Sequence, residues 1–351
     1  VRRQLEIYQI VLRRKDRRGT VGRRDGALVC GAYGRGNAGD DAILEAIVRE
    51  LRQIDPDLPV WVLSRRPDET RMTYRVNSIY TFGFPKFLRR MGRTRLYING
   101  GGSLMQDVPP RRSLWFYLFT ISAAKKLGNR VLMYGCGIGP IHYPSNRRLC
   151  ARVLERNVDM ITLRDTHSLT ELEDMGINHP EVLLSSDPTV ILPAARPEVI
   201  DGMLESRGLD PKGRYIEKRL DVGACQKAAA HMKAPHYIFE DTGASDHTIG
   251  LFARMQVVVS MRLHALVFSA GQGVPLVGVV YDQKISSFLN YIGQDLFTDL
   301  NDVTYEGLCA HIDAAVKRIG DTEFLSGGVD RLRQVERRNS QAAEKLLRLG
   351  R

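Results

Sequence analysis

The sequence lacks any apolar run long enough to cross a membrane. The longest stretch without Asp, Glu, Lys or Arg extends from Leu263 to Tyr281, and turn-forming residues interrupt it between Gly271 and Pro275. The arginine-rich N-terminus also lacks the clean apolar segment of a signal peptide. We therefore expect a cytoplasmic protein that contacts a membrane at most peripherally.

Cysteine pairs and common catalytic motifs are missing as well. The 351 residues contain five cysteines, none in a Cys-x-x-Cys pair, which fits a reduced compartment better than a disulfide framework or a zinc knuckle. Neither the His-Glu-x-x-His motif of zinc enzymes nor the Gly-x-Ser-x-Gly motif of serine hydrolases occurs. We expect neither a metal nor a cofactor.

Acidic residues are scarce at the N-terminus. Residues 1–25 contain nine Arg or Lys against three Asp or Glu, so this short segment carries more than half of the overall charge of +11. Such a basic arm can bind a phosphate-rich surface such as the anionic inner leaflet of a membrane, but a solvated tail is the favoured interpretation. Nucleic acid is not an expected partner, because the arm has no interleaved aromatic residues and no reader motif follows it.

From Gly26 onward, short apolar strands alternate with segments of helical spacing. Strands are predicted at Ala27–Cys30, Pro59–Leu63, Arg95–Ile98, Val131–Tyr134, Met160–Leu163, Val257–Val259 and Leu276–Val280. This alternation predicts an α/β protein with parallel sheets. At this length we expect two Rossmann-like, doubly wound domains over residues 26–190 and 191–325, followed by a C-terminal helix over 326–351.

A glycine-rich segment follows the first strand. It matches Gly-x-Gly-x-x-Gly at Gly34, Gly36 and Gly39 and leads into a predicted helix beginning near Asn37 and Asp40. Glycines there allow an anion to approach the backbone, whereas the structural alternative is a tight turn that needs glycine. NADP is a weaker alternative, because Ser64-Arg-Arg66 follows the second strand where an acidic residue binds the ribose of NAD.

Two further glycine segments end predicted strands and are expected to be substrate-binding loops. The first contains Asn99, Gly100, Gly101, Gly102 and Ser103. Three consecutive glycines cost chain entropy, which favours a site of close backbone approach. The second runs from Gly135 to Gly139 and includes Gly137.

Cationic residues and a histidine are predicted at the carboxyl ends of other strands. Arg262 and His264 follow Val257–Val259, Lys284 follows Leu276–Val280, and Arg164 follows Met160–Leu163. Ligands of α/β domains bind at such strand ends. Two arginines, a lysine and a histidine together indicate a site for a small polyanion with an acid–base group beside it. For Arg164 the alternative is a surface ion pair with Asp165, and for His264 it is a hydrogen-bonded core residue.

At these residues the sequence resembles the polysaccharide pyruvyl transferase family, in particular its CsaB-like bacterial cell-wall branch. The matching motifs occur in order along the chain: Gly34-x-Gly36-Asn37-x-Gly39-Asp40, Asn99–Ser103, Tyr134-Gly-x-Gly137-Ile-Gly-Pro140, Arg164-Asp165, Ser186-Asp-Pro188, Ser260-Met-Arg262-Leu-His264-Ala and Tyr281-Asp-x-Lys284. The resemblance implies a GT-B-like arrangement of the two domains. It also implies transfer of pyruvate from phosphoenolpyruvate, as a ketal, to a lipid-linked acceptor that carries N-acetylmannosamine.

The same resemblance implies roles for individual residues. His264 corresponds to the general acid or base, and Arg164 and Lys284 correspond to the phosphoenolpyruvate clamp, with Arg262 close by. The chain departs from the family after Ile216, where a βα segment is missing before His236. Three other functions stay open: a GT-B nucleotide-sugar glycosyltransferase, an NADP oxidoreductase, and a non-catalytic module that binds a polymer or a membrane surface.

Overall fold

The computed structural model describes residues 24–108, 112–209, 216–217, 226–227, 229–239 and 243–349. Nearly all of the predicted basic arm lies outside the described residues, as does much of the chain around the βα segment predicted to be missing after Ile216. The described residues divide into two compact units. Unit 1 holds those up to Arg164, Ser168–Ser185 and those from Arg337 on, whereas unit 2 holds Asp165–His167 and Ser186–Glu336.

Unit 1 is built on a parallel sheet of seven strands. They are β1 (Ala27–Cys30), β2 (Val60–Ser64), β3 (Asn77–Tyr80), β4 (Leu96–Met105), β5 (Arg130–Ile138), β6 (Met160–Leu163) and β7 (Glu181–Leu184). Their order across the sheet is β3-β2-β1-β4-β5-β6-β7. The order reverses between β1 and β4, and doubly wound folds bind their ligands at such a switch point.

Helices connect these strands and cover both faces of the sheet. They are α1 (Ala38–Ile54), α2 (Pro67–Tyr74), α3 (Phe84–Met91), α4 (Arg112–Lys126), α5 (Pro144–Asn157) and α6 (Thr166–Asp174). Successive strand residues face opposite layers, so that Tyr97 packs in one core and Ile98 in the other. Burial on both faces explains why the strands are continuously apolar.

Unit 2 contains a smaller parallel sheet of three strands, Val258–Ser260, Leu276–Val280 and Phe297–Asp299, and a separate parallel pair, Ile216–Glu217 with Ile238–Phe239. Its first described elements are a 3-10 helix (Pro188–Ile191), α7 (Pro197–Glu205), β8 (Ile216–Glu217) and β9 (Ile238–Phe239). They are followed by α8 (Ser245–Phe252), β10 (Val258–Ser260), α9 (Leu263–Gly271), β11 (Leu276–Val280), α10 (Gln283–Tyr291), β12 (Phe297–Asp299) and α11 (Tyr305–Lys317). Leu266, Leu276 and Leu289 lie in its main core.

The C-terminal helix, α12 (Thr322–Arg348), contributes to both units. Its residues Val329 and Leu332 join the main core of unit 2. Further along, Ala343 and Leu347 join the core of unit 1 that contains Ile98. None of the helices within the described ranges combines the length and the apolar character needed to span a bilayer.

The two segments predicted to be glycine loops are instead largely strand. Residues 99–103 lie inside β4 and residues 135–138 inside β5, with Gly100 paired to Tyr134 and Gly102 to Cys136. The prediction was wrong because pairing with β5 supplies the backbone hydrogen bonds that a glycine run would otherwise lack. The positive φ angles of Gly101 (49°) and Gly102 (76°) coincide with a register shift in the strand pair.

Candidate functional site

The glycine-rich segment after β1 lies at the switch point of the unit 1 sheet. Helix α1 begins there, and Oδ1 of Asn37 accepts hydrogen bonds from the backbone N–H groups of Gly39 (3.0 Å) and Asp40 (3.5 Å). Asn37 thereby satisfies N–H groups that an anion would otherwise bind. Asp40 and Asp41 add negative charge in the same turn. A pyrophosphate is therefore disfavoured here.

The two glycines before α1 serve different purposes. A Cβ atom on Gly34 would lie 2.3 Å from Oγ of Ser64, so this glycine lets the turn pack against the end of β2. Around Gly36, in contrast, no atom of the described residues lies within 4 Å of a Cβ position. Both have positive φ angles. The structural interpretation therefore holds for Gly34, whereas packing alone does not require the absence of a side chain at Gly36.

The glycines of β4 pack against α1. A Cβ atom on Gly101 would lie 2.1 Å from Cγ2 of Ile43, and one on Gly102 would lie 3.4 Å from Oδ1 of Asp40. The Tyr33 hydroxyl donates a hydrogen bond to the carbonyl of Gly100 (3.1 Å), and burial, with a smaller effect of the Asp40 charge, raises the pKa of Tyr33. These contacts bring Asp40 beside the β4 glycines, as the switch-point topology predicts.

Asn99 precedes these glycines and is fully buried. Neither its Oδ1 nor its Nδ2 atom has a hydrogen-bond partner within the described residues. A buried amide of this kind destabilises the fold by about 1–3 kcal/mol relative to a satisfied one. A buried polar group without a hydrogen-bond partner calls for an explanation, and a role in substrate binding is one such explanation.

Arg164, Ser103 and Gly137 form a compact cluster at the ends of β4, β5 and β6. Arg164 is only 5% exposed, and its Nη2 donates a hydrogen bond to Oγ of Ser103 (2.9 Å). A Cβ atom on Gly137 would lie 3.1 Å from both Nε of Arg164 and Oγ of Ser103. The absence of a side chain at Gly137 therefore makes room for the guanidinium, which is buried.

The thiol beside this cluster is unreactive. Burial raises the pKa of Cys136 to about 12, although the Arg164 guanidinium acts in the opposite direction. The thiolate is the nucleophilic form of cysteine. Cys136 is therefore a core residue.

The remaining predicted residues lie at the carboxyl edge of the β10-β11 pair in unit 2. Arg262 precedes α9 and is exposed, His264 lies in the first turn of α9, and Lys284 lies in the first turn of α10. Because β10 and β11 are parallel neighbours, both helices begin at the same edge. Nζ of Lys284 lies 3.0 Å from Oδ2 of Asp282, whose Oδ1 caps α10. This edge therefore combines two helix N-termini and two cations with the carboxylate of Asp282.

His264 faces a buried carboxylate. Its Nε2 lies 3.7 Å from Oδ2 of Asp187, and the two side chains are 22% and 3% exposed. Oδ1 of Asp187 caps the 3-10 helix by accepting hydrogen bonds from the backbone N–H and the hydroxyl of Thr189. The Ser186-Asp-Pro188 motif belongs to the family resemblance, but no role was predicted for Asp187. That motif was the signal in the sequence that could have identified it.

The predicted residues therefore fall into two groups. Unit 1 gathers the α1 N-terminus, the β4 segment from Asn99 to Ser103, Gly137 and Arg164 at one edge of its sheet. Unit 2 gathers Arg262, His264 and Lys284. A cavity of about 240 Å³ in unit 1 contains none of them, being lined by residues such as Asp55, Arg95 and Arg348.

Sequence comparison assigns the family. The model of the polysaccharide pyruvyl transferase family matches residues 37–283, well over half of the chain and nearly all of the residues described above. The chain belongs to the polysaccharide pyruvyl transferase family. It is therefore a transferase, and the predicted family is confirmed. Comparison with curated proteins gives no significant match.

Solved structures support the fold class. HepE of Anabaena, in complex with UDP and glucose, aligns with a TM-score of 0.57 at 12% identity over 92% of this chain and 99% of HepE. A glycosyltransferase of Rickettsia africae aligns with a TM-score of 0.54 at 10% identity, over 92% of this chain and 96% of the glycosyltransferase. A putative UDP-N-acetylglucosamine 2-epimerase of Listeria monocytogenes aligns with a TM-score of 0.55 at 9% identity, over 87% of this chain and 91% of the epimerase. These similarities confirm the predicted α/β, GT-B-like fold. At sequence identities this low they show the fold and carry no information on the reaction.

Proposed function

We propose that this pyruvyl transferase moves pyruvate from phosphoenolpyruvate onto two hydroxyls of a sugar as a ketal, with release of phosphate. The observation that supports this most strongly is the edge of unit 2 at which Arg262, Lys284 and His264 meet, with Asp187 behind the histidine. It provides cations for an anionic donor and an acid–base group in one place.

The donor carries a carboxylate and a phosphate, and therefore needs at least two cationic partners. Arg262 supplies a planar guanidinium that binds either group through two hydrogen bonds. Lys284 supplies a point charge that exchanges its contact with Asp282 for the donor. The N-termini of α9 and α10 add N–H groups that favour anions.

His264 is proposed to protonate the donor at its methylene carbon. This proton converts the methylene group into a methyl group and leaves C2 electrophilic. One sugar hydroxyl then adds to C2 and gives up its own proton. Phosphate then leaves with its bridging oxygen, the second hydroxyl closes the ketal, and the released protons go to phosphate and back to the imidazole. A histidine serves this role near neutral pH.

Asp187 is proposed as a positioning residue for His264. A buried carboxylate near one ring nitrogen favours the protonated imidazole and restricts its rotation. Oδ1 of Asp187 is already committed to Thr189, so the carboxylate is held in place while Oδ2 faces the ring. This arrangement prepares the proton donor before the donor substrate binds.

The edge of unit 1 is proposed to bind substrate as well. Gly36 offers backbone groups without side-chain hindrance, and the carboxylate of Asp40 accepts hydrogen bonds from sugar hydroxyls more readily than it tolerates a phosphate. Arg164 is assigned to phosphoenolpyruvate by family resemblance, and its cluster with Ser103 and Gly137 holds the guanidinium ready. Kinetics can decide whether Arg164 contacts the donor or the acceptor, since loss of a donor contact changes KM for phosphoenolpyruvate and loss of an acceptor contact changes KM for the sugar.

The acceptor is proposed to be a lipid-linked saccharide carrying N-acetylmannosamine, as in the CsaB-like branch. The finished polymer would then serve a secondary cell wall that anchors S-layer-homology domains. The acceptor is expected at the inner face of the cell membrane, and the enzyme would meet it there from the cytoplasm.

The direct test is phosphate release from phosphoenolpyruvate in the presence of the lipid-linked disaccharide, with mass spectrometry of the acceptor. The expected result is one phosphate for each acceptor that gains a pyruvate less one water. His264→Ala should lower turnover by about 10²–10⁴-fold, whereas His311→Ala, on α11, should not.

The proposal would be contradicted if the enzyme used a different donor. Transfer of a sugar from a uridine nucleotide, with no phosphate released from phosphoenolpyruvate, would replace the proposal by a glycosyltransferase.

A further inference from the structure

An exposed group of aromatic side chains lies on unit 1 and includes none of the residues assigned above. Tyr80, Phe82, Phe84 and Phe119 are 46, 39, 38 and 44% exposed. Phe82 and Phe84 both contact the half-buried Phe116, at centroid distances of 5.5 and 6.4 Å, and Phe84 contacts Phe119 at 5.8 Å. We call these five residues the aromatic patch. Contiguous exposed apolar surface of this kind marks an interaction site.

The fold holds this patch rigidly. Phe84 begins helix α3 and packs on the fully buried Phe87 (centroid distance 5.2 Å). Phe116 and Phe119 belong to the well-packed helix α4, on which the exposed Trp115 lies one turn before Phe119. Nε1 of Trp115 donates a hydrogen bond to Oδ1 of Asn146 (3.1 Å), which fixes the indole. The aromatic surface is thus a built feature of unit 1.

The surroundings of the patch are strongly basic. Asp107 is the only acidic residue between Glu69 and Glu155 in the sequence, and its carboxylate is buried and accepts backbone hydrogen bonds from His142 and Tyr143. Helix α3 carries Lys86, Arg89 and Arg90 immediately beside Phe84 and Phe87. The Arg65 guanidinium lies 4.1 Å from the centroid of the Phe82 ring. An occupant of this surface should therefore be both apolar and anionic.

The packing of the rings favours a lipid surface over nucleic acid. Single-stranded nucleic acids stack bases on free aromatic faces. Here the faces are engaged, since Phe82 is covered by Arg65 and meets Tyr80 and Phe116 edge to face. Ring edges with neighbouring cations are instead suited to the interface of a bilayer, where aromatic side chains sit at headgroup depth and Lys and Arg bind anionic headgroups.

We propose that unit 1 docks on an anionic phospholipid bilayer through the aromatic patch, with Trp115, Lys86 and Arg89 at its rim. This surface is separate from the basic arm of residues 1–25. The docking itself is independent of the chemistry, and only its purpose, to meet a lipid-linked acceptor, rests on the proposed function. Tyr80, Phe82 and Phe84 lie at or just after the carboxyl end of β3, on the edge of the sheet that carries the glycine-rich segment.

The experiment is flotation of the full chain with vesicles of phosphatidylcholine alone or mixed with phosphatidylglycerol, without either substrate. We expect binding to the mixed vesicles. Combined Phe82→Ser, Phe84→Ser and Phe119→Ser substitutions should weaken it by about tenfold or more. Lys86→Glu with Arg89→Glu should do the same by removing the preference for anionic lipid. Tyr305→Ser and Lys317→Glu on α11 are the matched controls, and Tyr305 is 80% exposed.

Tryptophan fluorescence reports the docking site directly. The chain has two tryptophans, and a Trp61→Phe variant leaves Trp115 as the single reporter. Its emission should be quenched by brominated acyl chains in the mixed vesicles. A variant with Arg13, Arg14, Lys15, Arg17 and Arg18 changed to Gln should keep this quenching, which separates the patch from the arm.

Two outcomes would overturn the docking proposal: vesicle binding of the triple variant equal to that of the wild type, or a Trp115 emission that brominated lipid leaves unquenched. Turnover on a water-soluble acceptor fragment should be unaffected in the triple variant. A failure of the proposed chemistry would abolish that turnover in the wild type and leave vesicle binding intact, so the two failures are distinguishable.

Discussion

Nε2 of His264 lies 3.7 Å from Oδ2 of Asp187, while Oδ1 of the same carboxylate is held by Thr189. One oxygen is fixed by the fold and the other faces the imidazole. The histidine therefore has a charged partner whose position does not depend on substrate.

Asp187→Asn should lower kcat by about 10-fold or more with little change in KM for phosphoenolpyruvate. The amide keeps the acceptor for Thr189 but puts an NH₂ group opposite the ring. Because an amide carries no negative charge to hold the imidazole, the loss should appear in kcat rather than in KM. Thr189→Ala, which removes one contact of Asp187 and keeps the carboxylate, is the control. An unchanged kcat would leave Asp187 with a structural role only.

Gly137→Ala should raise KM for phosphoenolpyruvate by about tenfold, because the added methyl group displaces the Arg164 guanidinium from Ser103. Thermal unfolding should change little, since the methyl group meets side-chain ends rather than backbone. Gly202→Ala on α7, where no described atom lies within 4 Å of the Cβ position, is the matched control. A rise in KM for the acceptor alone would move Arg164 from the donor to the sugar.

Asn99→Leu should stabilise the protein and weaken its activity. The amide of Asn99 is buried without a hydrogen-bond partner within the described chain, so an apolar side chain should raise the free energy of unfolding by about 1 kcal/mol. The matched control is Asn129→Leu, which should destabilise, because that buried amide bonds to Thr94 and Met91. A stabilised variant with full turnover would remove Asn99 from the substrate-binding residues.

Asp107→Asn should destabilise unit 1 at neutral pH by about 1–3 kcal/mol. Burial alone would raise the pKa of Asp107, but hydrogen bonds from the backbone N–H groups of His142 and Tyr143 lower it below its ordinary value of 3.8. A lowered carboxyl pKa contributes stability that is present above that ordinary value and is lost as the pH falls through the lowered one. Denaturation curves of wild type and variant should therefore converge only at acid pH. The exposed Asp68→Asn is the control and should have little effect.

Much of the fold could be predicted from local pattern. The bounds expected for β1, β6 and β11 coincide with the structure, because continuous apolar runs between turn residues are typical of buried parallel strands. The placement of Arg262, His264 and Lys284 at strand ends also follows from chain order. Parallel strands put such residues at one edge of a sheet.

The errors and omissions involve partners that are distant in sequence. The glycines of β4 were expected to form a loop because their pairing with β5 is not visible locally. Asp187 was assigned no role because 76 residues separate it from His264. The basic character around α3 was hidden in a total charge that was dominated by the N-terminal arm. Strand pairing decided the first case, and a side-chain contact decided the second.

The most direct test of the account is the wild-type reaction in deuterium oxide, with phosphoenolpyruvate, the lipid-linked acceptor and mass spectrometry of the purified ketal. Protonation of the methylene carbon by His264 predicts one deuterium in the methyl group of every ketal formed, and one phosphate released with it. A ketal without deuterium would contradict protonation from an exchangeable acid. No pyruvylated product, from folded enzyme and a range of sugar acceptors, would contradict pyruvyl transfer itself.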